Sequence, residues 1–240
     1  MLSPLQELLL FPGKTYAAKV KALGPIAYWP MWEASGLTAY DISGYSRHGV
    51  YQGVDPVQSG IGDGKTCPYF DGANDYCNVY TASLAAILPA AEGTLHLWIR
   101  VFNAGVWTNG LEQRFATFVT ATGDYIILRK SGNNNQLDWL YKAGGVAKIV
   151  SAIGITSVGW LPVGITVSAT VTEMRAYLNG VQTGLTQGGF GAWGGALLAN
   201  TAAFGASNTT PLLPWNGYVA HGVFFPRALS ADEMLSLSGI

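Results

Sequence analysis

The sequence predicts an all-β protein, a many-stranded antiparallel sandwich, and three observations carry that prediction. From Ile26 onward, short runs rich in Val, Ile, Tyr, Phe and Trp alternate with clusters of Gly, Asn, Asp, Ser and Pro, the pattern of strands and their turns. Within the runs, apolar residues recur with period two, which puts alternate side chains on one face of a strand. Asn179-Gly180, set between Ala176-Tyr-Leu178 and Val181-Gln-Thr183, is a two-residue hairpin signal, because both positions of such a turn need positive φ. At 240 residues and 49% hydrophobic content, a sandwich of this kind buries roughly 70–75% of its unfolded surface around one core. One main domain is therefore expected over residues 25–240, behind an arm at residues 1–24.

In chain order, Leu5 to Leu10 and Tyr16 to Leu23 carry apolar positions at three- and four-residue spacing, broken by Pro12-Gly13. Two short helical pieces are expected before Gly24-Pro25. The second should pack on the sandwich. The first has little to pack against in a sandwich: it fits an assembly arm anchored by Leu5, Leu8, Leu9, Leu10 and Phe11, or a cap on its own core. Strands are expected over residues 26–29, 49–52, 69–70, 76–79, 93–101, 113–119, 125–130, 136–142, 147–151, 160–168, 174–178, 181–185, 202–204 and 217–225. Gly132-Asn-Asn-Asn135 should turn a further hairpin, since Gly and Asn tolerate positive φ. Helix is nearly absent until Ser230, which with Glu233 forms a capping-box pattern opening a short helix through Leu237, stopped by Gly239.

Charge excludes some functions. Thirteen basic and 14 acidic residues leave a net charge of -1, which offers no electropositive footprint for nucleic acid or acidic lipid. Only 11% of residues are charged, against about 25% in an ordinary soluble domain, and the mean hydropathy is +0.24. A neutral surface favours association, as a homo-oligomer or with other proteins; the competing reading is a monomer solvated by Ser, Thr, Asn and Gly. No apolar run approaches the ~20 residues of a membrane span, so no membrane insertion is expected. Met1-Leu-Ser-Pro4 has no basic n-region and no small-residue cleavage site follows, so a secretory signal is not read and folding in a cytoplasm is expected. Cys67 and Cys77 flank a predicted tight turn and would face each other across a hairpin; without an export signal, free thiols are favoured, and their spacing does not suit zinc.

Four segments in order resemble the concanavalin A-like, laminin-G-like superfamily. They are Pro25-Ile-Ala-Tyr-Trp-Pro-Met-Trp-Glu-Ala-Ser-Gly36 continuing to Asp41-Ile-Ser-Gly44 and Gly49-Val-Tyr-Gln-Gly53; Phe70-Asp-Gly-Ala-Asn-Asp-Tyr76; Trp160-Leu-Pro-Val-Gly-Ile-Thr-Val167 running to Met174-Arg-Ala-Tyr-Leu-Asn-Gly180; and Trp215-Asn-Gly-Tyr-Val219 onward to Phe224-Phe-Pro-Arg-Ala-Leu-Ser-Ala-Asp-Glu233. The resemblance implies an antiparallel jelly-roll β-sandwich with a short N-terminal helical arm and a short C-terminal helix. Tyr16-Ala-Ala-Lys-Val20 to Ala27-Tyr-Trp29 is also similar to the opening of laminin-G-like domains in phage structural proteins.

Many members of that superfamily bind calcium at the sandwich rim through hard oxygen ligands. Asp41, Asp71, Asn74 and Asp75 are the candidates here. Against calcium, Ala220 and His221 stand where several relatives carry acids, and Gly205 to Pro214 holds no carboxylate. Asp41 before Ser43-Gly44 and Asp71 before Gly72 also suit carboxylates that accept turn N–H groups. No other cofactor is implied. The chain is expected not to be an enzyme: retaining glycoside hydrolysis needs two carboxylates about 5–5.5 Å apart, yet no Glu-x-Asp or Glu-x-Glu occurs, and His48, His96 and His221 stand apart from nucleophile or metal motifs. His96 reads as a sheet residue with a hydrogen-bond partner.

Trp107, Trp139, Trp193 and Trp215, with Tyr125 and Tyr141, lie in or beside predicted loops. Exposed, such rings stack on the apolar face of a sugar; the competing reading places them in the core or a subunit interface. The glycine-rich stretch Gly184 to Asn200 lacks the Lys-Ser/Thr and helix of a phosphate cradle. The resulting expectation is a non-catalytic virion structural protein, a phage capsid-decoration or tail-associated subunit with a glycan-binding surface, its partners being other virion proteins, further copies of itself and cell-surface glycans. The alternative is an extracellular carbohydrate-binding lectin or adhesin module. A glycoside hydrolase follows only from analogy of fold.

Overall fold

Two eight-stranded antiparallel sheets face each other in the computed structural model, which describes residues 15–88 and 92–240. In order the elements are α1 (Tyr16–Ala22), β1 (Ala27–Trp29), β2 (Thr38–Ala39), β3 (Gly49–Gln52), β4 (Asp55–Ser59), β5 (Thr66–Asp71), β6 (Tyr76–Asn78), α2 (Ala82–Ile87), β7 (Gly93–Val101), α3 (Gly105–Thr108), β8 (Gln113–Thr120), β9 (Tyr125–Lys130), β10 (Gln136–Ala143), β11 (Val146–Ile153), β12 (Leu161–Ser168), β13 (Glu173–Leu178), β14 (Val181–Gly188), β15 (Leu197–Phe204), β16 (Asn216–Phe225) and α4 (Ala231–Ser236). The first sheet runs β14-β13-β12-β7-β16-β5-β4, with β1 added to the far half of β16; the second runs β11-β10-β9-β8-β15-β6-β3-β2. The fold is thus the all-β sandwich expected, with few short helices. The arm anchors Leu5, Leu8, Leu9, Leu10 and Phe11 lie outside the described residues.

The hairpins form where turn chemistry demands. Asn179 and Gly180 take φ of 53° and 74° between β13 and β14, and β9 turns into β10 through the Gly132-Asn-Asn-Asn135 segment. Ser230 and Glu233 complete a capping box at α4. Three expectations need correction. Phe70-Asp-Gly-Ala-Asn-Asp-Tyr76 does not close a hairpin: β5 lies in the first sheet and β6 in the second, so the turn crosses between layers. Cys67 and Cys77 are therefore both free and buried, but in separate clusters on either side of the first sheet. Helix is also less rare than expected, since α2 and α3 form at Thr81-capped and Asn103-Ala104 turns. Two strands escaped the apolar pattern: β2 is two residues long, and β4, with Pro56, is an edge strand with no buried residue.

The core between the sheets takes one face of each strand; on β7 these are Leu95, Leu97, Ile99 and Val101. The opposite face of β7 presents Thr94, His96, Trp98 and Arg100. Half of this outer face carries a second apolar cluster, in which Tyr16 and Val20 of α1 and Met234 and Leu237 at α4 cover Trp98, Ala220, Val223 and Phe225. Tyr16 Oη donates to the Leu237 carbonyl at 3.1 Å and accepts from Trp98 Nε1 at 2.8 Å, tying both terminal helices to the sheet. One extra residue in β16, where Ala220 pairs with Trp98 but Val223 with His96, makes a bulge at His221, which has φ 54°. His221 is thereby turned out of the main core, within reach of Tyr28 Oη at 2.7 Å and Asp63 Oδ2 at 3.2 Å. His96 is a buried sheet residue, as expected, but its Nδ1 has no hydrogen-bond partner among the described residues.

Candidate functional site

The six aromatic candidates do not form a surface. Trp139 and Tyr141 alternate with Asp138 and Leu140 on the inward face of β10, and both are buried. Trp193 stacks on Tyr141 with ring centroids 5.6 Å apart. Trp107 is buried on α3 with Nε1 donating to Ser157 O at 2.8 Å, and Trp215 is buried edge-on to Phe115. Tyr125 alone is half-buried, under Lys142. Sugar stacking by this set is therefore corrected: burying large rings outweighs their place beside loops, since each removes 150–250 Å² from water.

The carboxylates of the calcium reading serve turns. Asp41 is buried, with Oδ1 accepting from Tyr28 N at 2.9 Å and Ser43 N at 2.8 Å, and Oδ2 from Arg47 N at 2.9 Å. Asp71 Oδ1 accepts from Ala73 N at 2.8 Å and Asn74 N at 3.4 Å, while Asp75 Oδ2 accepts from Asp71 N at 2.8 Å. Asn74 is exposed in that same turn. Asp41 bonds Tyr28, which pairs with Val223, whereas Asp71 pairs with Asn216. The two groups thus flank opposite ends of β16, about 20 Å apart at the rise of a strand. Among the described residues, no three His, Cys, Asp or Glu side chains converge as metal ligands.

The open half of the first sheet's outer face holds the arrangement that the sequence did not single out. Tyr69 on β5 pairs with Tyr218 on β16, which pairs with Arg100 on β7, and Trp160 precedes β12 in the next place. One lateral row therefore crosses four strands. The Tyr69 and Tyr218 rings lie 5.2 Å apart, and Phe102 lies 5.2 Å from Tyr69. The Arg100 guanidinium carbon sits 4.0 Å from the Tyr218 centroid and 5.1 Å from that of Trp160. Such cation–π contacts are worth about 0.5–2 kcal/mol each. Trp160 is fixed by Nε1 donating to Gly60 O at 2.8 Å, and Tyr69 by its hydroxyl donating to Asn216 Oδ1 at 3.1 Å. Burial, the largest influence, pushes the Tyr69 phenol above its ordinary pKa, with Tyr218 and Asp71 adding to it.

Beside this row lies an open groove of about 390 Å³, with Arg100 and Tyr218 in its lining and Phe102, Asn103 and Val158 around it. Phe102 is 51% exposed. Asn103 Oδ1 accepts from Gly105 N at 2.9 Å; its amide NH2 makes no hydrogen bond among the described residues. The rings are not coplanar, Phe102 and Tyr218 being tilted 36° and 40° to Tyr69, but a single exposed ring edged by amide groups can hold a pyranose by its apolar face while its hydroxyls are bound.

Comparison with known proteins agrees with the fold. The sequence model described as the concanavalin A-like lectin/glucanases superfamily matches residues 71–234, more than half of the chain. The chain belongs to this superfamily. Among solved structures, the superfamily member described here is similar to the botulinum neurotoxin serotype D binding domain (TM-score 0.62, 15% identity, 90% of this chain and 51% of that one). It is also similar to domain 4 of AbnA, an extracellular arabinanase from Geobacillus stearothermophilus, in complex with arabinotriose (0.62, 13%, 90% and 98%). A third is the CBM40 of a Ruminococcus gnavus sialidase bound to α2,3-sialyllactose (0.54, 12%, 79% and 98%). The chain spans about half the length of the neurotoxin domains it resembles. At these identities the likeness is one of fold. No curated protein matches the sequence.

Proposed function

We propose that this protein is a carbohydrate-binding domain whose sugar platform is the Tyr69–Tyr218–Arg100–Trp160 row with Phe102. The observation that carries the reading is the row itself: aromatic rings from adjacent strands held half-exposed on a rigid sheet, beside an open groove. Likeness of fold to domains solved with arabinotriose and sialyllactose supports it. Binding without catalysis is part of the proposal: two carboxylates stand beside the row, Asp71 and Asp55, the latter paired with Tyr69, and each has an oxygen already taken within the chain, Asp71 Oδ1 by its own turn and Asp55 Oδ2 by Gln58 Nε2, whereas glycoside hydrolysis uses two working carboxylates. The virion reading rests on the sparse charge of the sequence, on an arm outside the described residues and on the resemblance of Tyr16 to Trp29 to the opening of phage structural domains, whereas the solved structures of similar fold include sugar-bound domains, so the lectin alternative has the stronger support.

The test is a glycan array of the full chain followed by calorimetry on the best ligand. Tyr218→Ala and Phe102→Ala each remove one ring; loss of a stacked ring costs about 1–2 kcal/mol, or roughly tenfold in affinity. The thermal midpoint of each variant verifies folding. Wild-type affinity in both folded variants, or a silent array, overturns the assignment.

A further inference from the structure

Resting on that platform, we propose that its ligand is a carboxylated glycan, a sialic- or uronic-acid sugar whose carboxylate is received by Arg100. Every other strong feature of the row is explained by packing within the chain, but the Arg100 charge is not. Its Nε is fully buried with no hydrogen-bond partner. None of the ion pairs among the described residues includes it; Arg114, Arg129, Arg175 and Arg227 each have a carboxylate. The carboxylate nearest in the sheet, that of Asp71, stands on β5, two strands away, or about 10 Å at the spacing of neighbouring strands.

What Arg100 does have is two aromatic neighbours. The Tyr218 and Trp160 rings lie 4.0 and 5.1 Å from its guanidinium carbon and meet each other edge to face, 6.3 Å apart at 61°, so they approach the guanidinium from two directions and leave its terminal amino groups without a protein acceptor. A guanidinium presents five N–H donors in a planar fork that matches a carboxylate bidentately, and stacking fixes the plane of that fork before a ligand arrives. Only Nε is buried; the terminal amino groups face the open groove, and an arriving carboxylate replaces their water with charge-assisted hydrogen bonds. Because Arg100 lies in the lining of the groove beside Phe102 and Asn103, the carboxylate and the ring of one sugar can be held together: acid on Arg100, apolar face on an aromatic ring, hydroxyls on the amide. A neutral sugar would use the last two contacts and leave the first unmade.

The full chain is titrated by calorimetry with α2,3-sialyllactose, an oligogalacturonide, lactose, and sialyllactose with its carboxyl amidated. Binding of one acidic ligand at least tenfold tighter than lactose, with that gain lost on amidation of sialyllactose or on reduction of the uronic carboxyl, is the expected result. Which acidic ligand binds separates the sialic from the uronic source. Arg100→Gln should lower acidic-ligand affinity at least tenfold and bring it to the level of the neutral sugar, and Arg100→Lys, which keeps the charge without the fork, should fall between. The ligand comparison uses the wild-type chain, so it stands even where a variant fails to fold. Equal affinity for acidic and neutral sugars, or full acidic binding by folded Arg100→Gln, overturns the inference while leaving carbohydrate binding intact. Silence towards all four ligands together with a silent array overturns both.

Discussion

Removing the Asp41 carboxylate separates a turn-capping role from a metal-binding one. In the folded chain this buried group accepts three backbone N–H bonds, from Tyr28, Ser43 and Arg47. The Tyr28 and Arg47 bonds are buried; the Ser43 amide is half-buried, where water replaces the lost acceptor more easily. Each buried donor left without a partner costs about 1–3 kcal/mol. Asp41→Ala should therefore lower stability by about 2–4 kcal/mol, after the relief of no longer burying a carboxylate. Asp41→Asn keeps one acceptor oxygen, for Tyr28 and Ser43, and sets an NH2 group against the Arg47 amide, so about half that loss is expected. For a domain of this size, 3 kcal/mol lowers the thermal midpoint by roughly 6–12 °C. Urea unfolding of both variants and wild type, with millimolar calcium and with a chelator, measures the effect. Equal losses in the two conditions are expected. An Asp41→Ala chain within about 0.5 kcal/mol of wild type, or a loss seen only in calcium, refutes the turn assignment.

Two further outcomes follow from the interior. Burial, with the nearby His221 acting in the same direction, holds the His96 imidazole down to about 3, against about 6.5 in an unfolded chain. Its contribution is complete above pH 6.5 and declines as pH falls towards 3, because the unfolded chain takes up the proton first. Near pH 5 this amounts to about 2 kcal/mol, so His96→Leu should flatten the decline between pH 7 and 5 in urea midpoints, and an unchanged slope counts against it. Gly205 has φ +83°, and a Cβ there would meet Phe70 Cδ1 at 2.2 Å and Cε1 at 2.3 Å. Backbone strain plus overpacking predicts that Gly205→Ala costs about 2–4 kcal/mol, and a midpoint within 2 °C of wild type would contradict that clash.

Period and turn chemistry made most of the strands legible, because they are local. The alternation Leu95, Leu97, Ile99, Val101 against His96, Trp98, Arg100 is visible in one nine-residue run, and Asn179-Gly180 encodes its own turn. Strand order is not local. Nothing near Phe70 tells that β5 and β6 part into different sheets, and Tyr69, Tyr218, Arg100 and Trp160, spread over 69–218, meet only once β5, β16, β7 and β12 are adjacent. The usable signal was present: Arg100 lies on the polar side of its strand's alternation with an aromatic two residues on either side, Trp98 and Phe102. The buried tryptophans misled for the opposite reason, since proximity to a predicted loop says little about which way a ring faces, and a strand's parity decides it.

The platform owes its limits to elements that contribute nothing to it. On β7, Trp98 and Arg100 share one face, two residues apart, yet Trp98 is covered and Arg100 is not. The difference is Tyr16, whose hydroxyl meets Trp98 Nε1 and the Leu237 carbonyl, so the two terminal helices close over the row of Trp98 and Ala220. On β16 the bulge at His221 gives Val223 and Phe225 to that same cluster. In the adjacent outward row, Tyr218 faces Arg100, and among the described residues no helix covers the pair. The helices thus make half of the face into core and anchor the strands beneath, while the other half, uncovered by the described residues, lies on those same anchored strands. A rigid base is what stacking recognition requires, because a ring that had to be ordered on binding would surrender much of the roughly 1 kcal/mol it contributes.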